Sequence, residues 1–531
     1  MTTKNQLWPS LLFILFFISA PSLWSQQNKK PNLLFIMTDQ QRFDAMSIAG
    51  NKVLKTPNLD RLAKQGARFK NAYTPCAVCA PARTSILTGT TVENNGMRTN
   101  EYAYSYKKEG LMTMPTFDEI LTQKGYHCEY FGKWHTQSSN ARIYKNPLKT
   151  NAAGKSVFGP EGSLLIYEDF LNEKSPNRPL KTGELYDTYT NRPYKTDPLD
   201  KFHGKTDADV KQSKRKIIQP DLHGELLIDK EYTVTAFQAK QTIDALERLK
   251  DSTFSITCSF HFPHAPMLPT KPYSTMYPAS KMVAPFSIAD KMENTPYQKA
   301  NGRHEHTEYA DPEKIKYMIS SYYGLIKEVD DWVGKILDKV DALGLADNTL
   351  VIFTSDHGEM LGAHGMREKN VFYEESAHIP LLIRFPNQIK KNTLVNGYVS
   401  NVDLFATIFD YLKADKQKSD GTSLRGLIEG TDTQNGKYVV QEWDYRGDTE
   451  PNYMIVKDGW KLIIPYSETS KVINVLYDLN TDPHEMNNLL GSNPDKQKYA
   501  DKAEDLRKTL VEWLIKNKSS HIEGVQKRKL I

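Results

Sequence analysis

Cysteine is scarce in this chain: four residues in 531, at positions 76, 79, 128 and 258. So few thiols in so long a chain exclude a disulfide scaffold, and the fold has to rest on a large apolar core. Charge of one sign is lacking too. Lysine and arginine number 69 against 64 aspartates and glutamates, a formal net charge of +5, and no long run carries a single sign. Bulk attraction to nucleic acid is therefore not expected. No internal repeat or low-complexity tract stands out. Long hydrophobic runs are missing beyond the first 25 residues. There, Lys4 precedes the apolar run Leu11–Ile18 and the segment Pro21-Ser22-Leu23-Trp24-Ser25. That run is too short for a bilayer, so 1–25 reads as a cleaved signal peptide with Gln26 as the mature start. The expectation is a secreted or periplasmic protein with no stable membrane insertion. No cysteine follows the run to take a lipid.

What is present is a series of apolar runs that end in polar clusters. Asn32–Met37 runs into Thr38-Asp39-Gln40-Gln41, and Tyr126–Phe131 into Gly132-Lys133-Trp134-His135. Thr253–Phe260 leads to His261-Phe262-Pro263-His264-Ala265-Pro266, with His261 read as structural. Thr349–Phe353 leads to Thr354-Ser355-Asp356-His357-Gly358, and Ile379–Arg384 is a further strand. Continuous apolar runs of this length predict strands of a parallel sheet buried on both faces. Helices are predicted between them at Thr56–Ala63 (closed by Gly66), Met114–Leu121, Tyr232–Leu249, Ile315–Leu337 and Asp403–Leu412. The alternation argues for one large α/β domain over 26–435, with its ligand site outside the C-terminal strand ends. Residues 136–222 change texture to prolines, lysines, aspartates and tyrosines without periodicity. They read as an insert near the cleft whose basic and aromatic content suits an anionic sugar, or equally as solvated surface. From Gly436 onward, short runs at 438–443, 453–456 and 460–464 predict an antiparallel sheet, followed by a helix over Ala503–Ile515. A smaller C-terminal α+β subdomain over 436–531 follows.

One stretch organises the rest: Cys79-Ala80-Pro81-Ala82-Arg83, then Leu87-Thr88-Gly89. Pro81 fits the first turn of a helix, where its missing N–H costs nothing. Cys76-Ala77-Val78-Cys79 also admits a redox or metal pair, though no second Cys-x-x-Cys exists to complete a zinc site. The Cys-x-Pro-Ala-Arg pattern is joined by Thr56–Ala63, Gly132-Lys133-Trp134-His135 and Pro263-His264-Ala265-Pro266. Ser355-Asp356-His357-Gly358 follows, then Gly362-Ala363-His364-Gly365 with Lys369, and Leu476–Glu485. Together they resemble the type I, formylglycine-dependent sulfatases of the alkaline phosphatase-like superfamily, over about Asn32 to Leu489.

That resemblance implies a large mixed, mostly parallel sheet flanked by helices, with the C-terminal antiparallel subdomain packed beside it. It implies that a formylglycine-generating maturation enzyme oxidises Cys79 to an aldehyde. The hydrate then offers one oxygen to attack sulfur and a second whose deprotonation expels sulfate. Asp39, Gln40, Asp356 and His357, with an oxygen of the converted Cys79, would hold one divalent cation, Ca2+ in the family. The family often has an acid at position 40 and an amide at 357. With only two carboxylates the cluster is near neutral around the ion, so weaker binding than in an acid-richer site is expected, and nitrogen ligation leaves magnesium or manganese open. Arg83 would orient the nucleophile, Lys133 and Lys369 would clamp sulfate, His264 would protonate the leaving oxygen and His135 would accept the hydrate's proton. The expected activity is sulfate-ester hydrolysis on a sulfated polysaccharide or oligosaccharide, with His364, Arg367 and the insert as substrate contacts. The alternatives are a phosphonate or phosphate monoester hydrolase of the same superfamily, and a non-catalytic sulfated-glycan-binding homologue whose Cys79 stays a thiol.

Overall fold

The computed structural model describes residues 29–100, 114–136, 223–226, 228–297, 310–432, 435–443 and 451–531, with residues 1, 170 and a short strand at 186–188 besides. The expected signal peptide and most of the 136–222 insert lie outside the described residues. Strands up to residue 400 are β1 (Asn32–Asp39), β2 (Ala67–Tyr73), β3 (His127–Gly132), β4 (Tyr186–Thr188), β5 (Gly224–Leu226), β6 (Phe254–Pro263), β7 (Thr349–Ser355), β8 (Leu381–Arg384) and β9 (Thr393–Ser400). The main sheet has seven strands in the order β3-β6-β1-β7-β8-β2-β9. β8 runs against both of its neighbours, and every other pairing is parallel. This is the mixed, mostly parallel sheet that the family resemblance implied.

β1 shows why. All eight of its residues are buried, and successive side chains point to opposite faces. Leu33, Phe35 and Met37 enter one core with Ile86, Phe117, Leu121, Phe405 and Ile408. Leu34 and Ile36 enter another with Leu62, Leu246, Val329, Trp332 and Ile336. Helices Cys79–Thr88, Phe117–Gln123 and Asp403–Tyr411 thus cover one face. Pro57–Lys64, Val234–Leu249 and Ile315–Ala342 cover the other. Burying a side chain such as Phe35 stabilises by about 1.5–3 kcal/mol, so a strand with two apolar faces is held strongly in register.

Local chemistry sets the helix ends. Phe117–Gln123 begins three residues later than its apolar pattern suggests, because Thr116 caps it by accepting the Glu119 N–H at 3.2 Å. Gly66 differs from expectation in a different way. The helix before it ends at Gln65 in ordinary helical geometry, so Gly66 is not a left-handed cap. It is needed for space: a Cβ there would meet the Ile383 carbonyl oxygen of β8 at 2.1 Å.

The C-terminal sheet is β10 (Tyr438–Glu442), β11 (Tyr453–Lys457), β12 (Trp460–Ile464) and β13 (Val475–Asp478), antiparallel throughout. Its inner face, with Val439, Met454, Ile463 and Val475, packs on Tyr73, Cys76, Val78 and Phe372 of the main body. Its outer face is closed by Leu506, Leu510 and Leu514 of the helix Ala500–Lys516. Among the described residues no helix is long and apolar enough to cross a membrane.

Candidate active site

Four neighbouring strands, β3, β6, β1 and β7, end together and carry polar residues just past the last buried position. Parallel pairing of Thr38 with Ser355 puts Asp39 beside Asp356. Pairing of Gly132 with Ser259 brings Lys133 to the same edge, where its N–H donates to the Ser259 carbonyl at 2.9 Å. His264 follows β6 directly. Opposite these ends lies the helix Cys79–Thr88, entered from extended backbone at Val78. Cys79 is its first residue and Arg83 sits one turn on, so both side chains leave the same face. Gly89 ends the helix in the left-handed conformation (φ 66°), where only glycine is at ease and where a Cβ would also strike Phe405.

The Arg83 guanidinium is fully buried and ties these ends together. Nε donates to Asp356 Oδ2 at 2.7 Å and Nη2 to Asp39 Oδ2 at 3.0 Å. Nη1 donates to the Lys133 carbonyl at 2.7 Å and to Ser259 Oγ at 2.8 Å. Lys133 Nζ adds a 2.6 Å ion pair to Asp39 Oδ2. Each aspartate thereby spends its Oδ2 on cations and keeps Oδ1 for the interior. Burial and Cys79 push the Asp39 carboxyl up, yet Lys133, His264 and Arg83 together hold it well below the usual carboxylate range.

Asp39, Cys79, Asp356 and His357, all buried, present ligand atoms within 4.8 Å of one another. Cys79 Sγ is 3.1 Å from His357 Nε2 and 3.9 Å from Asp39 Oδ1. His357 Nδ1 lies 2.9 Å from the Gly358 carbonyl, to which it can only donate, so Nε2 is the ring nitrogen turned to the cluster. Two inward carboxylate oxygens, an inward imidazole nitrogen and the position-79 side chain make a donor set that fits a divalent cation. Here Cys79 Sγ stands where an oxygen of the oxidised side chain would be. Gln40 meets this group through its own N–H, which donates to Asp356 Oδ1 at 3.1 Å. Its side-chain oxygen accepts from Lys369 Nζ at 2.6 Å, and its amide nitrogen donates to Glu359. A lysine can only donate and an ionised carboxylate can only accept, so the amide's orientation is fixed from both ends, with one oxygen lone pair left for an ion. The left-handed backbone of Gln40 (φ 72°) is held by a 2.7 Å hydrogen bond from Tyr322 Oη to its carbonyl.

Burial alone would raise the Cys79 thiol, but Lys133, Lys369 and His357 outweigh it and hold the group well below the ordinary thiol range. Burial beside Lys133 lowers His135 to about 4, so its ring is neutral at physiological pH. His264 Nε2 lies 3.1 Å from Lys369 Nζ, while its Nδ1 is 2.6 Å from the Ala265 carbonyl. The structure therefore brings Asp39, Gln40, Cys79, Arg83, Lys133, His135, His264, Asp356, His357 and Lys369 into one cluster, buried except for the half-buried His264. His261 lies beside it, its Nδ1 bonded to Gln238. His364 departs from expectation. Its ring is buried, bonded to Asp290 at 2.7 Å and stacked on Tyr373 at 3.8 Å, so it braces the loop rather than facing a substrate. Arg367 keeps a partly exposed side chain beside Glu368. Ser259, Tyr322 and Glu359 were not singled out from sequence. Only Glu359 had a signal, its place directly after Ser355-Asp356-His357-Gly358.

A divalent cation in this cluster would be held by only two carboxylates and is expected to leave on prolonged chelation. Dialysis against a strong chelator should abolish turnover and lower the melting temperature, and calcium should restore both. Full activity in a preparation shown by elemental analysis to be metal-free would contradict the donor set.

A family model described as Sulfatase matches residues 31–414, a span that contains every member of this cluster. The chain belongs to the sulfatase family. It is a sulfuric ester hydrolase. A second model, described as N-sulphoglucosamine sulphohydrolase, C-terminal, matches residues 362–516. The sulfatase is similar to an N-acetylglucosamine-6-O-sulfatase of Bacteroides thetaiotaomicron, 26% identical over 559 residues that cover 95% of this chain and 90% of that protein. It is 28% identical to an ulvan-active sulfatase of Formosa agariphila over 479 residues, 87% of this chain and 77% of the relative. Among solved structures, the phosphonate monoester hydrolase of Agrobacterium radiobacter shares the fold, with a TM-score of 0.72 at 22% identity over 92% of this chain and 96% of that one.

Proposed function

We propose that this sulfatase is exported and removes sulfate from a sulfated polysaccharide or oligosaccharide. Cys79, oxidised to formylglycine, would be its nucleophile, and Asp39, Gln40, Asp356 and His357 would hold a divalent cation, calcium by family resemblance. The observation that carries this reading is the charge around Cys79. Arg83, Lys133 and Lys369 surround two aspartates, so the cluster favours an anionic ester even before an ion is counted. The carbohydrate assignment is supported by relatives named for N-acetylglucosamine-6-O-sulfate and for ulvan.

When present, the oxidised side chain supplies the attacking oxygen and the cation supplies the acidity that keeps it deprotonated. Arg83 fixes the two aspartates and so the frame in which residue 79 sits. Lys133 and Lys369 place ammonium charges where sulfate oxygens must lie, which favours the transition state over solvent. His135, neutral and beside Cys79, would take the proton. His264 Nδ1 donates to the Ala265 carbonyl, so its Nε2 accepts from Lys369 Nζ, and the ring would relay that ammonium's proton to the departing sugar oxygen. His264→Ala should therefore lower kcat on alkyl and sugar sulfates by about 10²–10⁴-fold. Activated aryl sulfates, whose leaving groups need no proton, should lose far less; equal losses on both would remove His264 from that role.

The fold shared with a phosphonate monoester hydrolase keeps one second reading open. Paired assays on sulfate, phosphate and phosphonate esters separate the two, with higher kcat/KM on sulfated oligosaccharides expected. They are run on protein from a host that has the maturation enzyme. Mass spectrometry of the peptide containing Cys79 should then show the thiol exchanged for an aldehyde oxygen. An unmodified thiol in active enzyme would sink the nucleophile, and a preference for phosphonates would sink the substrate class.

A further inference from the structure

Lys461 carries a fully buried ammonium far from the cluster in sequence, on the inward face of β12 where the two sheets meet. It donates to the Phe372 carbonyl at 2.8 Å and pairs with Glu374 Oε1 and Glu485 Oε1, each at 2.7 Å. Glu485 Oε2 accepts the Glu374 backbone N–H at 2.7 Å. The C-terminal sheet thus grips residues 372 and 374 by both backbone and side chain. These lie three and five positions after Lys369. Glu374 also takes His378 Nδ1 at 2.9 Å and Tyr73 Oη at 3.0 Å, and the His378 ring stacks between Phe43 at 4.0 Å and Tyr73 at 4.8 Å. The Asn370 N–H, next to Lys369, donates to the Ala77 carbonyl at 3.1 Å. The segments that carry Gln40, Cys79 and Lys369 therefore converge on one buried ion group.

Stability alone does not account for such a group. Desolvation offsets most of the gain of a buried ion pair, and apolar residues of the same volume would pack the interface at least as well. What charged groups add is direction: each bond holds a particular atom in place.

We propose that Lys461 and Glu485 are positioning residues for Lys369, through which the C-terminal sheet sets the place of an ammonium that holds the ester. The inference rests on the reading of Lys369 as a substrate-contacting cation. Lys461→Met removes the grip but leaves two acids unpaired in the interior. Glu485→Gln is the gentler variant. Burial raises Glu485 to about 7, so a neutral amide there keeps the Lys461–Glu374 pair. Its single oxygen, however, cannot serve both Lys461 and the Glu374 N–H.

The test is a double-mutant cycle on matured enzyme with 4-nitrophenyl sulfate, each change made in the native and in the Lys369→Met background. Displacing a positioned group by about 1 Å costs on the order of 10²-fold. Lys461→Met should lower kcat/KM by about that factor and Glu485→Gln by about 10-fold. In the Lys369→Met background either change should cost less than about 2-fold, because the group being positioned is already gone. Equal losses in both backgrounds, or no loss from Glu485→Gln in the native one, would overturn the inference while leaving Lys369 in its role. Should Lys461→Met not fold, Glu485→Gln decides alone. Full activity in Lys369→Met itself would overturn the sulfate clamp, and this inference with it.

Discussion

Cys79→Ala is expected to lower kcat by about 10⁶-fold, the scale seen when an enzyme loses its covalent nucleophile. The structure says why so little else should change. Cys79 is a small residue, 1% exposed, at the first position of its helix. Alanine keeps the backbone and leaves a void of one sulfur atom, so the stability cost should be about 1 kcal/mol. Arg83, Asp39 and Asp356 keep all their mutual bonds, and the inward atoms of Asp39, Asp356 and His357 remain. Calcium should therefore still raise the melting temperature of the inactive variant. Kinetics and calorimetry on one preparation check both halves. Activity within 10-fold of the parent would remove Cys79 from the chemistry.

Arg83→Met should damage stability as well as activity. Its guanidinium makes four hydrogen bonds, two of them to buried aspartates 2.7 and 3.0 Å away. Methionine restores the volume but strips both aspartates of their guanidinium partner, leaving Asp39 its Lys133 ion pair and Asp356 only the neighbouring His357 ring. Stranding buried charge in this way costs about 3–5 kcal/mol. A bound divalent ion would replace part of the missing charge. The destabilisation should accordingly be larger in chelator than in calcium, a difference that thermal melts in the two buffers read directly. Equal melting shifts in both would mean that these aspartates do not face an ion.

The strands most legible in the sequence were those buried on both faces. β1, β6 and β7 are apolar without interruption because helices cover both faces, and such runs have no other stable place in a soluble fold. β2 and β9 were missed for the converse reason. Ala67–Tyr73 mixes Arg68, Lys70 and Asn71 with apolar residues, and Thr393–Ser400 mixes in Thr393, Asn396, Gly397 and Ser400, since one face of each is partly open. The site was readable for a related cause: its residues stand at the ends of the readable strands, and the Cys79 helix announces itself through Pro81 and Gly89. Glu359 was hidden only by habit, since glutamate is usually solvated. Lys461 was hidden in principle. Nothing along β12 tells a lysine that points at water from one that points at another sheet, because that distinction exists only once the two sheets meet. His364 was misread because nearness in sequence to Lys369 says nothing about which way a ring turns.

The depth of Cys79 imposes an order of events. In the finished fold the side chain is closed off by β1, β7 and the whole Arg83 network, and no second protein can take hold of it there. The proposed enzymatic oxidation at this position would have to come while the polypeptide is still open. A molecule that closed first would keep its thiol, folded and inert.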